Sequence, residues 1–473
     1  MCGIVGIVDA GGVSIQLYYA LYALQHRGQE SAGISTFDGT SLHKFKGSGL
    51  VADVFSPSVL TDLKGTIGIG HVRYPTTGQN LPENIQPLNF RFQEHFISIA
   101  HNGNLVNTSE LRAGYERSGQ IFITTTDTEI IAKILINALS NSGSVEDAVR
   151  TCMHKLVGSY ATLIMIDGVM YGFRDPLGIK PLGIGKTENG YMLASESVAM
   201  DALSAKFLRD VKPGELIRID AEGIRCMQVA VAGRRAHCVF EYIYFARADS
   251  IIDGVLVYDV RRKIGKTLYE EDPVKADSVS SVPDSGTAHA IGYAEGSKIP
   301  FVECLMKNRY MGRTFIMPTQ KERERAVRMK LNPIPAHLKD KSVVLVDDSI
   351  VRGTTSKRII GIVRDAGARE IHVRIGSPAI KAPCYLGTDF PTREELIAHN
   401  RTEEEVRKSI TATTLHHISL EGLIKATGFE GENLCLGCLT GCYPLPIEGE
   451  NARPSQVDFV DATYQTKLGT FEA

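Results

Sequence analysis

The chain has 473 residues and no apolar run long enough to cross a bilayer as a helix, so no spanning helix is expected. It has almost no net charge. Fifty-two Lys and Arg stand against 54 Asp and Glu, a balance of -2, so no global field recruits nucleic acid or an anionic membrane surface. Met1 to Gly12 lacks both a basic stretch and a long apolar stretch, which argues against a secretory leader. There is no internal repeat and no low-complexity tract, which excludes a solenoid. An even cysteine count is also missing. Nine Cys make an awkward disulfide framework, and in a reducing compartment clustered thiols point to metal binding or catalysis. With 43% hydrophobic and 22% charged residues, the expectation is a cytoplasmic enzyme of two or more domains.

Among the features that are present, Cys2 carries the most information. It follows the initiator in Met1-Cys2-Gly3-Ile4-Val5-Gly6-Ile7. Removal of Met1 would give one residue both a thiol, with an ordinary pKa of about 8.5, and an α-amine, at about 7.7–8.0. Such an amine can take the thiol's proton without a histidine. The same residues also read as a small apolar side chain opening a strand.

Up to about residue 230 the chain reads as short strands punctuated by Gly turns, with helices at Ser14–His26 and at Thr128–Leu139 behind Asp127. This predicts a layered α+β domain over residues 2–230. From about residue 245 strands alternate with helices. Val279–Val282 precedes Gly286–Ser297, and Ser342–Val346 precedes Thr354–Ala366 and then Ile371–Ile375. The unbroken apolar run Ser342-Val343-Val344-Leu345-Val346 suits a strand buried on both faces of a parallel α/β sheet, giving a second unit over residues 245–473.

Polar clusters punctuate the first unit. His71-Val72-Arg73-Tyr74 and His101-Asn102-Gly103-Asn104 each follow a strand, and Thr126-Asp127-Thr128-Glu129 opens a helix. Taken with Cys2, the Asn102 amide and the Gly103 N–H can form an oxyanion hole. Arg73 can hold a carboxylate bidentately, and Asp127 can hold an ammonium. Singly, these residues read as a turn, a surface ion pair and a helix cap. Together they fit a free amino acid with a side-chain amide, glutamine.

These segments, with Leu24-Gln25-His26-Arg27-Gly28-Gln29-Glu30-Ser31-Ala32-Gly33 and Arg174-Asp175-Pro176-Leu177-Gly178-Ile179-Lys180-Pro181-Leu182, resemble the glutaminase domain of the N-terminal-nucleophile amidotransferases. The resemblance implies a four-layer αββα fold, Cys2 as nucleophile, Asn102 and Gly103 as oxyanion hole, and Arg73 and Asp127 as glutamine ligands. It does not fix the acceptor of the ammonia.

The acceptor is written in Val343-Val344-Leu345-Val346-Asp347-Asp348-Ser349-Ile350-Val351-Arg352-Gly353-Thr354-Thr355-Ser356. Two carboxylates end a buried strand, where open α/β sheets bind ligands, and a Gly-Thr-Thr loop then opens a helix whose N–H groups suit a phosphate. Adjacent carboxylates suit a vicinal diol or Mg²⁺. A Walker-type nucleotidase is the rival, but its first glycine is Lys180 before Gly185-Lys186-Thr187 and Val260 before Gly265-Lys266-Thr267.

The stretch resembles the phosphoribosyl-diphosphate signature of type I phosphoribosyltransferases. That family implies Asp347 and Asp348 on the ribose hydroxyls and Mg²⁺, and Arg352, Gly353, Thr354 and Thr355 on the 5′-phosphate. Ser281-Val282-Pro283-Asp284-Ser285-Gly286 matches its pyrophosphate loop, with Asp284 in contact and Ser285 near the metal. Lys307–Phe315 matches its closing loop.

Cys435-Leu436-Gly437-Cys438, with Cys442 behind it and Cys238 and Cys384 upstream, can complete a four-thiolate site for Zn²⁺ or iron–sulfur. A subset of glutaminase-linked phosphoribosyltransferases carries a [4Fe-4S] cluster at positions matching Cys238, Cys384, Cys435 and Cys438, which makes Cys442 a bystander. Cys152, Cys226 and Cys304 read as buried apolar residues.

The paired modules imply glutamine-dependent amination of 5-phosphoribosyl 1-diphosphate to 5-phosphoribosylamine, at the start of purine synthesis. They also imply a homotetramer and inhibition by purine nucleotides. Two alternatives remain at this point: another glutaminase-linked synthase, or a regulatory nucleotide-binding protein on a phosphoribosyltransferase fold.

Overall fold

Strand alternation in the first half sorts side chains onto two faces, and both faces are buried. The structure, a computed structural model, describes residues 1–74, 81–142, 144–308, 331–390, 392–460 and 465–466. One sheet holds β1 (Gly3–Asp9), β2 (Ser31–Phe37), β3 (Leu42–Ser48) and β4 (Ile67–Arg73). The facing sheet is built on β5 (Leu88–Phe92), β6 (His95–Leu105), β7 (Gly158–Ile166) and β8 (Val169–Arg174). β9 (Gly183–Lys186), β10 (Gly190–Ala194) and β11 (Lys206–Asp210) return to the first sheet, in the order β11-β9-β10-β1-β4-β2-β3. β12 (Glu215–Asp220), β13 (Gly223–Gln228) and the short strand Gln465–Thr466 complete the second.

Between the sheets pack Ile4, Ile69, Ala100, Ala161, Leu163, Met170, Leu193 and Ile217. The opposite face of β1, Val5 and Ile7, buries against Leu17 and Leu21 of the helix Ser14–Ala23. On the far side, Ile97, Ile99 and Ile164 bury against Ile130, Leu135 and Met153 of the helices Thr128–Ser142 and Val145–Lys155. This is the αββα stack expected from the amidotransferase resemblance, with β1 the middle strand of the first sheet and β6 next to the edge of the second.

Two strand expectations are corrected. His71-Val72-Arg73 forms the last three residues of β4 rather than following it. His101-Asn102-Gly103-Asn104 does not follow a strand; it lies inside β6, which pairs with β7 without a break as far as Leu105 opposite Gly158. The ladder tolerates Gly103 because a side chain there would have nowhere to go. A Cβ would stand 2.0 Å from the Ser159 carbonyl oxygen and 2.8 Å from His101 Nε2.

The second half is a parallel sheet in the spatial order Ser278–Ser281, Ser342–Asp347, Glu370–Ile375, Thr414–His417. The central strand is buried on both faces, as its unbroken apolar run predicts. Val344 and Val346 pack with Val260, Ile264 and Tyr293 from the helices Val257–Glu271 and Thr287–Ser297. Val343 and Leu345 pack with Ile359, Ile360 and Val363 of the helix Thr354–Asp365. The chain then returns to the first half, where Val457–Phe459 pairs with Ala230–Ala232. No helix among the described residues is long and apolar enough to cross a membrane.

Candidate active sites

Cys2 directly precedes β1 and lies against β6. Its backbone N–H donates to Asn102 Oδ1 at 3.1 Å, and its Sγ lies 3.7 Å from the Tyr74 carbonyl oxygen. The other end of the Asn102 amide, Nδ2, is buried without a hydrogen-bond partner. A buried donor left unmade costs about 1–3 kcal/mol, so it calls for an explanation in function. One amide therefore orients the backbone of Cys2 and holds a donor in reserve beside it.

The Cys2 carbonyl accepts from Arg27 Nε at 2.9 Å. That guanidinium is wholly buried against two carboxylates: Glu196, and Glu241 at 2.7 and 2.9 Å. Burial opposes its charge, and the two glutamates more than restore it. They hold the turn Gln25–Arg27 against both the first half, through Glu196, and the segment Glu241–Phe245 at the junction of the two halves.

Arg73 ends β4 and is 3% exposed, so it is not a surface ion-pair residue. Asp127 does stand at the start of its helix, but its carboxylate reaches away, accepting the Leu105 N–H at 3.1 Å and lying 3.5 Å from His101 Nδ1. Burial pushes this carboxyl up, and the His101 imidazole and Leu105 N–H outweigh that, holding it below the usual carboxylate range. His71 is buried and kept neutral, its pKa pushed down to about 3 by desolvation and then by Arg73 and His101.

The second constellation lies at the C-terminal end of the central parallel strand. Asp348 N–H donates to Asp347 Oδ1 at 2.9 Å, and Ser285 Oγ donates to Asp348 Oδ1 at 2.6 Å. Burial, then the Asp348 charge, pushes Asp347 well above the usual carboxylate range. A cation would relieve that repulsion. Beside the pair, a cavity of about 230 Å³ is lined by Asp347, Ser349, Val351, Arg352, Gly353, Thr354, Thr355 and Ser356. Gly353 has φ +75° and caps the helix that opens at Thr354. Asp284 pairs with Lys307. Arg352 is half-exposed and pairs with Glu395 at 2.7 Å. Residues 309–315 of the expected closing loop lie outside the described residues.

The cysteines of the third constellation meet. Cys238 and Cys435 are bridge partners in a parallel two-strand ladder. The Cys438 carbonyl accepts from Lys381 and Ala382, which lead into Cys384. Burial, then Cys384, Cys435 and Cys238 in turn, push the Cys438 thiol far above its ordinary pKa. All nine cysteines are free thiols. Cys442 opens a two-residue strand paired with Asn451–Ala452, and its backbone N–H donates to the Thr440 hydroxyl at 3.2 Å. Cys152, Cys226 and Cys304 are buried. Among the described residues, no group of three or more His, Cys, Asp or Glu stands ready to hold a single metal ion.

The two halves touch beside Cys2. Asn104 Nδ2 donates to the Tyr385 carbonyl at 2.8 Å, Ser159 Oγ to the Leu386 carbonyl at 2.8 Å, and Tyr74 Oη to Asp389 at 3.4 Å. Neither this segment nor the Arg27–Glu196–Glu241 group was expected from sequence. Glu241 alone gave a signal, as a carboxylate set in the apolar run Val239–Phe245.

The fold and its two sites define a glutaminase joined to a phosphoribosyl-transferring unit, a glutamine-dependent amidotransferase. Residues 71–202 match the family described as glutamine amidotransferase domain. The amidophosphoribosyltransferase of Methanothermobacter thermautotrophicus is 50% identical over 452 residues, 95% of each chain. That of Bacillus subtilis is 46% identical over 458 residues, 96% of each chain. A solved structure of Bacillus subtilis glutamine phosphoribosylpyrophosphate amidotransferase, complexed with ADP and GMP, superposes with a TM-score of 0.89 at 46% identity. It covers 95% of this chain and 98% of that one. The chain belongs to the amidophosphoribosyltransferase family. Its reaction is the glutamine-dependent amination of phosphoribosyl diphosphate, the first step of purine biosynthesis.

Proposed function

We propose that the residues read from the sequence divide that reaction between the two sites. With Met1 removed, the Cys2 nitrogen that now donates to Asn102 becomes the α-amine and takes the thiol's proton. Sγ attacks the glutamine side-chain amide carbon. The oxyanion that forms accepts from Asn102 Nδ2 and the Gly103 N–H. Collapse expels ammonia, which leaves with the proton the amine held, and leaves a γ-glutamyl thioester on Cys2 for water to cleave. Arg73 holds the substrate carboxylate and Asp127 its ammonium. The observation that carries this reading is the single amide of Asn102, bonded to the Cys2 nitrogen through one atom and left with an unpartnered buried donor at the other.

In the second site Asp347 and Asp348 take the ribose hydroxyls. Arg352, Gly353, Thr354 and Thr355 take the 5′-phosphate, and Asp284 and Ser285 border the pyrophosphate. Ammonia attacks ribose C1 as pyrophosphate departs. Asp347, Asp348 and Ser285 fit Mg²⁺, since two carboxylates that repel each other gain most from a cation. Mg²⁺ bound there would neutralise charge on the leaving pyrophosphate.

Cys238, Cys384, Cys435 and Cys438 fit a [4Fe-4S] cluster, because free thiols on three segments remote in sequence converge. A single zinc wants its thiolates about 4 Å apart, whereas a cubane carries them on separate iron corners and spreads them wider. The cluster would tie the three segments together. By kinship with the Bacillus subtilis enzyme, solved with ADP and GMP, purine nucleotides are the proposed inhibitors. A cytoplasmic homotetramer is the proposed assembly.

The test is pyrophosphate release from phosphoribosyl diphosphate, supplied separately with glutamine and with ammonia. Release is expected with either nitrogen source, and none with either would overturn the reading.

A further inference from the structure

Toward its end, β6 turns every second N–H away from β7, as an antiparallel ladder requires. The His101 N–H donates to Gln86 Oε1 at 2.8 Å, and the Leu105 N–H to Asp127 Oδ2 at 3.1 Å. The Gly103 N–H lies between them and points the same way. Its ladder partner, Tyr160, makes no claim on it. Asp175 takes both main-chain groups of Tyr160, the N–H at 3.2 Å and the carbonyl at 2.8 Å. β5 does not reach it either, because β5 begins at Leu88, opposite Ile99. The proposed oxyanion donor therefore stands on an open strand edge. Such a donor is only as well placed as the strand that carries it.

Main chain of the second half grips that strand end. Asn104 Nδ2 donates to the Tyr385 carbonyl at 2.8 Å, and Ser159 Oγ to the Leu386 carbonyl at 2.8 Å. Asn104 and Ser159 are ladder partners, and the Ser159 hydroxyl also accepts the Asn104 N–H at 3.3 Å. The next residue, Gly387, lies on Gly103 itself. A Cβ on Gly387 would stand 3.1 Å from the Gly103 carbonyl carbon and 3.2 Å from its oxygen. Two hydrogen bonds and one close main-chain approach thus converge on Gly103 and its immediate neighbours.

We infer that Asn104 and Ser159 are positioning residues of the glutaminase reaction, an assignment that rests on the reading of Asn102 and Gly103 as the oxyanion hole. They fasten the strand end that carries the Gly103 N–H to the Tyr385 and Leu386 carbonyls. The second half then supplies part of the rigidity of a site whose chemistry lies in the first. Ser159 is fully buried, so water does not readily replace its lost bond.

Asn104→Ala with Ser159→Ala removes both ties. Glutamine kcat should fall by about 10-fold or more, short of the roughly 10²–10³ for outright loss of an oxyanion donor. Glutamine KM should be unchanged, as for an effect felt only in the transition state. Ammonia-dependent pyrophosphate release should also be unchanged. Alkylation of Cys2 by iodoacetamide, read on the N-terminal peptide by mass, separates this role from general damage. There Sγ displaces iodide and no oxyanion forms, so the rate should match wild type. Alkylation that falls in step with kcat would overturn the assignment, because Cys2 itself would then be disturbed. So would a glutamine kcat within about threefold of wild type, a change of less than 1 kcal/mol. Should the pair fail to fold, Asn104→Asp decides alone. Asn104 is partly exposed, and aspartate keeps its shape while replacing the donor by an oxygen that the Tyr385 carbonyl repels. The same fall in kcat with unchanged alkylation is expected, and a normal kcat would refute the tie. Failure of the oxyanion reading itself looks different, because Asn102→Ala would then keep its glutamine kcat.

Discussion

Asn102→Ala separates stability from chemistry. The wild-type side chain makes one buried hydrogen bond, from the Cys2 N–H, and leaves one buried donor unmade. Truncation removes both. Losing the acceptor leaves the buried Cys2 N–H unpartnered, which costs about 1–3 kcal/mol, and relieving the unsatisfied Asn102 donor returns a similar amount. A small cavity then takes back part of the gain. The net change in folding free energy should stay within about 1–2 kcal/mol. Transition-state stabilisation has no such compensation. Loss of one oxyanion donor costs about 2.7–4 kcal/mol, a fall of roughly 10²–10³ in kcat with glutamine. The assay is glutamate formation from glutamine, run beside ammonia-dependent pyrophosphate release and a thermal melt. The expected result is a folded protein, nearly normal with ammonia and crippled with glutamine. A folded variant whose glutamine kcat stays within about threefold of wild type would refute the oxyanion assignment, since threefold is less than 1 kcal/mol.

Two further predictions concern the second half. Asp347→Asn with Asp348→Asn keeps shape and removes two charges. Both nitrogen sources should fail together and phosphoribosyl diphosphate binding should weaken by roughly 10²-fold or more, at about 1.5–3 kcal/mol per lost charged hydrogen bond. Unchanged affinity by calorimetry would dismiss the ribose and metal assignment. Anaerobically prepared protein should hold about four iron per chain with matching sulfide. Ser at Cys238, Cys384, Cys435 or Cys438 should lose iron and soluble protein together, while Ser at Cys442 keeps both. Stoichiometric zinc without sulfide, or cluster loss in Cys442→Ser alone, would contradict the ligand set.

Some of this was legible because the chemistry is local in the chain. Val343–Ser356 carries its own strand, acidic pair and phosphate loop, so periodicity and residue type sufficed, and the structure differs there by a residue or so at element ends. The amidotransferase fold was legible through motif order. What sequence could not yield depends on burial and long-range pairing. Asn102 and Gly103 read as a turn after a strand because Asn-Gly favours turns. Partnering with β7 keeps the strand going, and only the tight approach to Ser159 reveals why glycine is needed. Arg27 sat inside a recognised motif without a role. An isolated Arg looks solvated until the fold encloses it, and Glu241 lies 214 positions from Arg27. The Tyr385–Asp389 contact with the glutaminase half joins two modules whose motifs each read as independent.

The central claim is that Cys2 frees ammonia which a separate site consumes. The most direct measurement is pyrophosphate release by Cys2→Ala, with glutamine and with ammonia as alternative nitrogen sources. The variant should be inactive with glutamine and close to wild type with ammonia, because the substitution leaves the Asp347–Ser356 site untouched. Full glutamine-dependent release from Cys2→Ala would contradict the account.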